Sequence, residues 1–353
     1  MAQTPHILLV HHFPLAHITG VTVMSAEILR YLNAEAKETA AYLSYPPTAE
    51  ELLARLDRRH TDAAAVIGIN LHIEVQWAQS RALLAWCRQR KVPIWIYIHD
   101  YWPHHFKRVA ALLDQGARLL ASTRFIQASL AADGFPAEVL AVGVPLPQAP
   151  APAQPSAWPD GSRCFASAGR LAPRKRFYDI VRAFREAVLG DRVGLYLRLL
   201  PSRVFDSEED AGQLQLVEKE ISPHDRMSGR VRVERTPSAG AFDYTPYFAY
   251  VCASSYEGFS MSPIEAAFTG CPPLMSAVPA HRAIAETLFR SRAEDFLYPV
   301  GNTKALAALM RHEVQTEQRR RLLARNRDRV RATIEKQWSL AATARRLAAL
   351  VRA

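Results

Sequence analysis

Ten short apolar runs recur along this chain, and the spacing between them leaves room for a helix each time. HILLVHH, TAAYLSY, AAAVIGIN, PIWIYIHD and ARLLAS fall in the first half; RCFASAGR, GLYLRLL, RVRVE, FAYVCAS and PPLMS fall in the second. Each is the length of a strand and too short for a buried helix. The segments between them carry apolar residues at helical spacing, as at Met24, Ile28, Leu29 and Leu32, or at Leu83, Leu84 and Trp86. Strand and helix in steady alternation imply parallel sheets covered by helices.

The rhythm breaks once. PLPQAPAPAQPSAWPDGS, residues 145–162, holds six prolines, and proline interrupts helix and sheet alike. A chain of 353 residues is long enough for two domains. The reading is therefore a first α/β domain over 1–146, a linker over 147–160, a second domain over 161–335, and a closing helical stretch over 336–353. Two such domains imply a cleft, and open parallel sheets bind ligands at the carboxyl ends of their strands.

Charge narrows the partners. The net charge is +10, yet residues 1–150 hold 13 Lys/Arg against 12 Asp/Glu, while residues 311–353 hold 12 against 4. The excess is C-terminal. No aromatic residues interleave with those arginines and no nucleic-acid motif accompanies them, so nucleic acid is not expected as a partner. The segment Arg319 to Arg331, with seven arginines and only Asp328 as an acid, is expected to stay solvated. It reads as a solvated helix face or as a contact with anionic membrane. No apolar run approaches the ~20 residues of a membrane span. MAQTPHILLVHH reads as a first strand, without the basic start and long apolar stretch of a signal peptide. Cys87, Cys164, Cys252 and Cys271 are scattered, as expected of buried small hydrophobes in a reducing cytoplasm.

Two loops carry chemistry. In SSYEGFSMSPIEAAFTGCPP, residues 254–273, Glu257 and Glu265 stand eight positions apart. Ser262-Pro263 reads as the helix opening and Gly270 as its stop. A carboxylate in a loop, then a helix N-terminus, then a second carboxylate one turn in, suits a ligand that bears both phosphate and hydroxyls. A nucleotide sugar is such a ligand. In GRLAPRKRF, residues 169–177, Arg170 and Lys175 lie between a strand and a helix, where a planar fork and a point charge suit a diphosphate.

Gly169-Arg170-Leu171-Ala172-Pro173-Arg174-Lys175-Arg176, followed by Glu257-Gly258-Phe259-Ser260-Met261-Ser262-Pro263-Ile264-Glu265-Ala266, resembles the paired motifs of retaining glycosyltransferases of the GT-B fold, in the family 4 group. The resemblance spans nearly the whole chain and is sharper in the second domain. It implies a GT-B architecture: two Rossmann-like domains whose parallel sheets face a central cleft, with a C-terminal helix, Ser339 to Arg352, crossing back to the first. Leu340, Leu347, Leu350 and Val351 would form its apolar stripe. It further implies that Arg170 and Lys175 neutralise the departing diphosphate. Glu257 and the amides of Gly258, Phe259, Ser260 and Met261 would hold the donor sugar, and Glu265 the ribose hydroxyls. Ser260 and Arg176 stand where the family usually has Gly. Leu199-Leu200-Pro201-Ser202 replaces its Gly-rich turn.

In the first domain, Ile98-His99-Asp100-Tyr101-Trp102-Pro103 is similar to the family's HD-Tyr-Trp segment, which implies that His99 lines the donor sugar. Asp100 reads as a cap for the next turn. Gly20, in the loop His17 to Val21, stands in the place of the family's Gly-rich loop and would let backbone approach donor or acceptor closely. Ser122, Thr123 and Arg124 end a further strand and read as weak candidates for the cleft. His11, His12, His104 and His105 match no metal spacing and read as loop residues. No metal or cofactor is expected, and the resemblance implies none.

The activity implied is transfer of a sugar from a nucleoside diphosphate to an acceptor hydroxyl with retention of anomeric configuration. The setting would be bacterial surface glycan synthesis, such as lipopolysaccharide or capsule, on a glycan or lipid-linked acceptor. The enzyme would be cytoplasmic, or peripheral on the inner face of the membrane. Two other readings compete: a non-catalytic GT-B scaffold, which loss of Arg170, Lys175 or either glutamate would have favoured, and a nucleotide-sugar epimerase, which product analysis separates from transfer.

Overall fold

The computed structural model describes residues 6–14, 20–34, 39–72, 76–146, 163–201, 208–236 and 242–352. The proline-rich stretch 147–160 lies outside the described residues, as do His17, Ile18 and Thr19. The chain divides into two compact units, one formed by residues 1–145 with 335–353 and the other by residues 146–334.

The first unit is built on β1 (His6–His11), β2 (Thr39–Ser44), β3 (Ala63–Ile69), β4 (Ile94–Ile98), β5 (Arg118–Ala121) and β6 (Ala137–Val139). All pairings are parallel and the order is β2-β1-β3-β4-β5-β6. Helices cover the sheet, so its inner strands are apolar on both faces. Leu8, Val10, Val66, Ile96 and Ile98 anchor this core.

The second unit repeats the plan with β7 (Arg163–Arg170), β8 (Val193–Leu200), β9 (Val231–Arg235), β10 (Ala249–Cys252), β11 (Pro273–Ser276) and β12 (Leu297–Tyr298). These are again parallel, in the order β12-β11-β10-β7-β8-β9. The chain winds outward from β7 in one direction and from β10 in the other. The two strands are adjacent, so the winding reverses between them and a crevice opens beyond their carboxyl ends. The equivalent reversal in the first sheet lies between β1 and β3.

The helix Leu340–Arg352 packs on the helix Gly20–Ala34 of the first unit. Ser339 bridges in parallel to Val144 and its hydroxyl accepts the Ala342 N–H at 3.1 Å. The Thr343 hydroxyl donates to the Ala141 carbonyl at 2.8 Å. Its buried face is made mostly of small residues, Ala342, Thr343, Ala344 and Ala348 with Leu347. Leu340, Leu350 and Val351 are only half-buried. Small side chains let the two helices approach, so the close contact is not the leucine stripe expected.

Several local expectations need correction. The helix after Glu257 begins at Met261, with Ser260 as its N-cap, and not at Ser262-Pro263. Pro263 is tolerated there because first-turn N–H groups have no intrahelical partner. Trp102, not Asp100, precedes the 3-10 turn Pro103–His105. His11 is the last residue of β1, and His11, His12 and His105 are buried. The Arg-rich segment is not uniformly solvated either. Arg319 is 4% exposed and pairs with the fully buried Glu313 at 3.1 Å. The Arg331 guanidinium lies 4.5 Å from the Phe268 ring centre, and Arg329 donates to the Leu288 carbonyl at 2.7 Å. Long Arg stems and forked heads let this segment dock on the unit that precedes it.

Candidate active site

The site assembles at the carboxyl ends of β7 and β10. β7 ends at Arg170, and the chain then forms the 3-10 turn Pro173–Lys175. Arg176 follows with φ 50° and ψ 43°, a left-handed conformation that explains why a glycine suits this position. Here the Arg176 guanidinium is tied to Asp179 at 2.6 Å. That turn aims Arg174 and Lys175 across to the loop after β10, and the Ser255 N–H donates to the Arg174 carbonyl at 2.8 Å to hold the two loops in register.

Glu257 is the hub. It is 3% exposed. Its Oε1 accepts from Lys175 Nζ at 2.6 Å and from Ser254 Oγ at 2.7 Å. Its Oε2 accepts from Arg174 Nη1 at 2.7 Å, and the same nitrogen reaches the Tyr256 carbonyl at 3.1 Å. Burial would raise the pKa of this carboxyl, but Lys175 and then Arg174 outweigh it and hold the group at about 2. Glu257 is therefore ionised at neutral pH.

The loop Gly258-Phe259-Ser260 leads into the helix Met261–Thr269. Gly258 and Ser260 are buried and Phe259 is half-buried. The Ser260 hydroxyl makes no capping bond. Gly270 ends the helix with φ 94°, which only glycine adopts without strain. Glu265, half-buried on the helix, accepts from the Tyr244 hydroxyl at 2.7 Å through Oε2. Its withdrawal from water raises its pKa to about 6, against the opposing effect of the Tyr244 bond.

Behind Glu257 lies a second layer. Cys252 Sγ is 3.5 Å from His281 Nε2 and 3.6 Å from Ser254 Oγ. His281 Nδ1 faces the Ser276 carbonyl at 2.8 Å, and Ser276 Oγ donates to the Ser254 carbonyl at 2.6 Å. Burial raises the thiol pKa, but the adjacent imidazole more than offsets it and draws it down. So Cys252 is not the inert hydrophobe its scattered position suggested.

The second unit thus holds Arg170, Lys175, Glu257, Gly258, Phe259, Ser260, Met261 and Glu265, and joins Lys175 directly to Glu257. His99 and Gly20 belong to the other unit. His99 follows β4, is 6% exposed, and its N–H donates to Asn70 Oδ1 at 2.8 Å. Burial lowers its pKa to about 3, so the imidazole is neutral, and Nε2 has no hydrogen-bond partner among the described residues. Gly20 is the first residue of its helix. Thr123 caps the helix Arg124–Ala132 by accepting the Ile126 N–H, and buried Ser122 donates to the His99 carbonyl at 3.3 Å, so both have structural work. Sequence reasoning missed Arg174, Tyr244, Cys252 and His281. Arg174 could have been found as the neighbour of Lys175 in a loop that faces a carboxylate. The others reach the site only through folding.

No protein-family profile matches the chain, and no curated protein does. Solved structures do match, over nearly its full length. It is 16% identical to a sucrose-phosphate synthase from Thermosynechococcus elongatus, with a TM-score of 0.76 over 99% of this chain and 98% of that one. It is 12% identical to the Anabaena protein Alr3699/HepE, solved with UDP and glucose, with a TM-score of 0.71 over 99% of both chains. It is 13% identical to the lipopolysaccharide outer core galactosyltransferase WaaB, with a TM-score of 0.64 over 99% of this chain and all of that one. Two parallel six-stranded sheets wrapped by helices, superimposing on these transferases from end to end, give the chain the GT-B fold.

Proposed function

We propose that this protein is a retaining glycosyltransferase that uses a nucleoside diphosphate sugar. The observation that carries the reading is the buried Glu257 carboxylate bridged by Lys175 and Arg174 at the switch point of the second sheet. Glu265 stands one turn into the helix that follows its loop. A sugar needs a fixed acceptor for its hydroxyls, and a leaving diphosphate needs cations beside a helix N-terminus. Both lie in one place. UDP and glucose in the HepE structure are in keeping with such a donor.

In the mechanism, Arg170 and Lys175 stabilise negative charge as the diphosphate departs, and the leaving phosphate oxygen takes the acceptor's proton on the same face. Glu257 is held as an anion by its two cations, so it positions hydroxyls and does not shuttle protons. Glu265 binds the ribose. No metal enters these steps. The acceptor is a glycan or lipid-linked hydroxyl in surface glycan synthesis. Exposed Arg320, Arg321, Arg325 and Arg327 offer a peripheral contact to anionic membrane.

The test is transfer from UDP-, GDP- and ADP-sugars, with the product anomer read by NMR. Glu265→Ala should weaken nucleoside diphosphate binding by roughly 1.5–3 kcal/mol, the worth of a hydrogen bond to a charged group. Glu257→Ala should spare that binding and lower turnover with the whole sugar donor, and Arg170→Ala should cut turnover by about 10²–10³-fold. Chelator should leave turnover intact. Equal loss of nucleotide affinity in both glutamate variants, or an epimerised donor as sole product, sinks the assignment.

A further inference from the structure

Cys252, His281 and Glu257 converge from three different segments: the end of β10, the helix Pro279–Phe289, and the loop before Met261. Their ligating atoms all lie within 4.8 Å of one another, and all three residues are buried. We propose that these three side chains form a binding site for a thiophilic divalent cation, Zn²⁺ being the natural fit, which loads only when Lys175 releases Glu257.

The geometry supports this on three counts. First, the Cys252 Sγ to His281 Nε2 separation is 3.5 Å. A tetrahedral zinc with Zn–S of ~2.3 Å and Zn–N of ~2.0–2.1 Å sets sulfur and nitrogen ~3.6 Å apart. Second, the imidazole is already oriented as a ligand. Its Nδ1–H donates to the Ser276 carbonyl at 2.8 Å, which turns Nε2 toward Cys252 Sγ, the two atoms sharing one proton that a metal would replace. Metal-bound histidines are fixed in this way by the bond their other nitrogen makes. Third, the donor set of thiolate, imidazole and carboxylate matches zinc and excludes magnesium or calcium, which take oxygen ligands. A water would fill the fourth position, while Ser254 Oγ keeps its bond to Glu257 Oε1 at 2.7 Å.

Competition follows from valence. Glu257 Oε1 already accepts from both Lys175 Nζ and Ser254 Oγ. A metal on that oxygen must displace one of them. Lys175 is the more mobile, being partly exposed on a flexible stem, and the cation's charge repels it. Binding therefore exchanges the ammonium for the metal on Glu257 and releases the Cys252 thiol proton to solvent. The other three cysteines are buried, with thiol pKa raised by burial, so they do not compete for the ion.

Cobalt(II) titration of the intact, metal-free protein tests the site without recourse to activity. The expected result is one equivalent bound, with a near-ultraviolet thiolate-to-cobalt band and the intense visible bands of a tetrahedral ion, both discharged by Zn²⁺. Cys252→Ser should abolish the ultraviolet band, and His281→Gln should weaken metal affinity while circular dichroism reports an intact fold. Lys175→Ala should tighten Zn²⁺ binding by roughly tenfold or more, because the competing charge-assisted bond is gone. A titration without the thiolate band, a band that persists in Cys252→Ser, or unchanged Zn²⁺ affinity in Lys175→Ala overturns the proposal. A metal-free protein that transfers no sugar, yet still gives the cobalt band on titration, would instead strike the functional reading alone.

Discussion

Glu257 and Glu265 are chemically identical residues that leave the fold with opposite acid–base behaviour. Two cations depress the first to about 2; withdrawal from water raises the second to about 6. The signs of their contributions to stability differ accordingly. Glu257 stabilises the native state above its ordinary pKa of 4.5, and that contribution is lost as pH falls from there toward about 2. Glu265 acts the other way. Between 4.5 and about 6 the native state holds a proton the unfolded chain has released, so its contribution becomes unfavourable as pH rises through that window. A shift of this size corresponds to ~2 kcal/mol. Glu265→Gln, which keeps a partner for Tyr244, should therefore match wild type in urea unfolding at about pH 4 and exceed it by ~2 kcal/mol at about pH 7.5. A pH-independent difference would show that the carboxyl is not perturbed in the native state.

At the scale of elements, the return of the last helix depends on one glycine. A Cβ built on Gly143 would sit 2.9 Å from the Leu340 Cα and 2.8 Å from its Cδ2. Backbone cannot yield as a side-chain tip can, so Gly143→Ala should cost about 1–3 kcal/mol by overpacking. Hydrogen exchange should locate the loss in Leu340–Arg352 and in Gly20–Ala34, and an unchanged exchange pattern would refute the contact. This dependence was not legible in the sequence, because two residues nearly two hundred positions apart meet only in the fold. The strands were legible where they are long and apolar on both faces, as in HILLVH and IWIYI. Two were not: β6 is three residues at a sheet edge and largely exposed, and β12 is two residues long, too little for a periodicity to register. The site divided in the same way. Glu257, Glu265, Arg170 and Lys175 announced themselves as charges beside glycine and a helix start. Cys252 and His281 did not, since a lone cysteine in an apolar strand looks like packing until a distant histidine arrives beside it.

Over the molecule as a whole, the basic C-terminal segment 311–353 separates into two populations that composition cannot distinguish. Arg319 is buried against Glu313, whereas Arg320 and Arg321 are exposed, Arg320 reaching over the Phe248 ring. Arg319→Gln removes the charge partner of a fully buried carboxylate, which keeps only the backbone N–H groups of residues 319 and 320, and should cost about 3 kcal/mol in chemical denaturation, while Arg320→Gln and Arg321→Gln stay within about 0.5 kcal/mol of wild type. Three indistinguishable variants would mean that the pair is not formed. The first unit takes residues from both sides of the second, and this has a consequence for how the protein is made. A ribosome delivers residues 6–145 long before 335–352. Until the last helix emerges, the face of Gly20–Ala34 that it covers stays bare, so the first unit must wait, incomplete, while the second is synthesised and folds. Domains usually mature in the order of translation; here the N-terminal one is finished last.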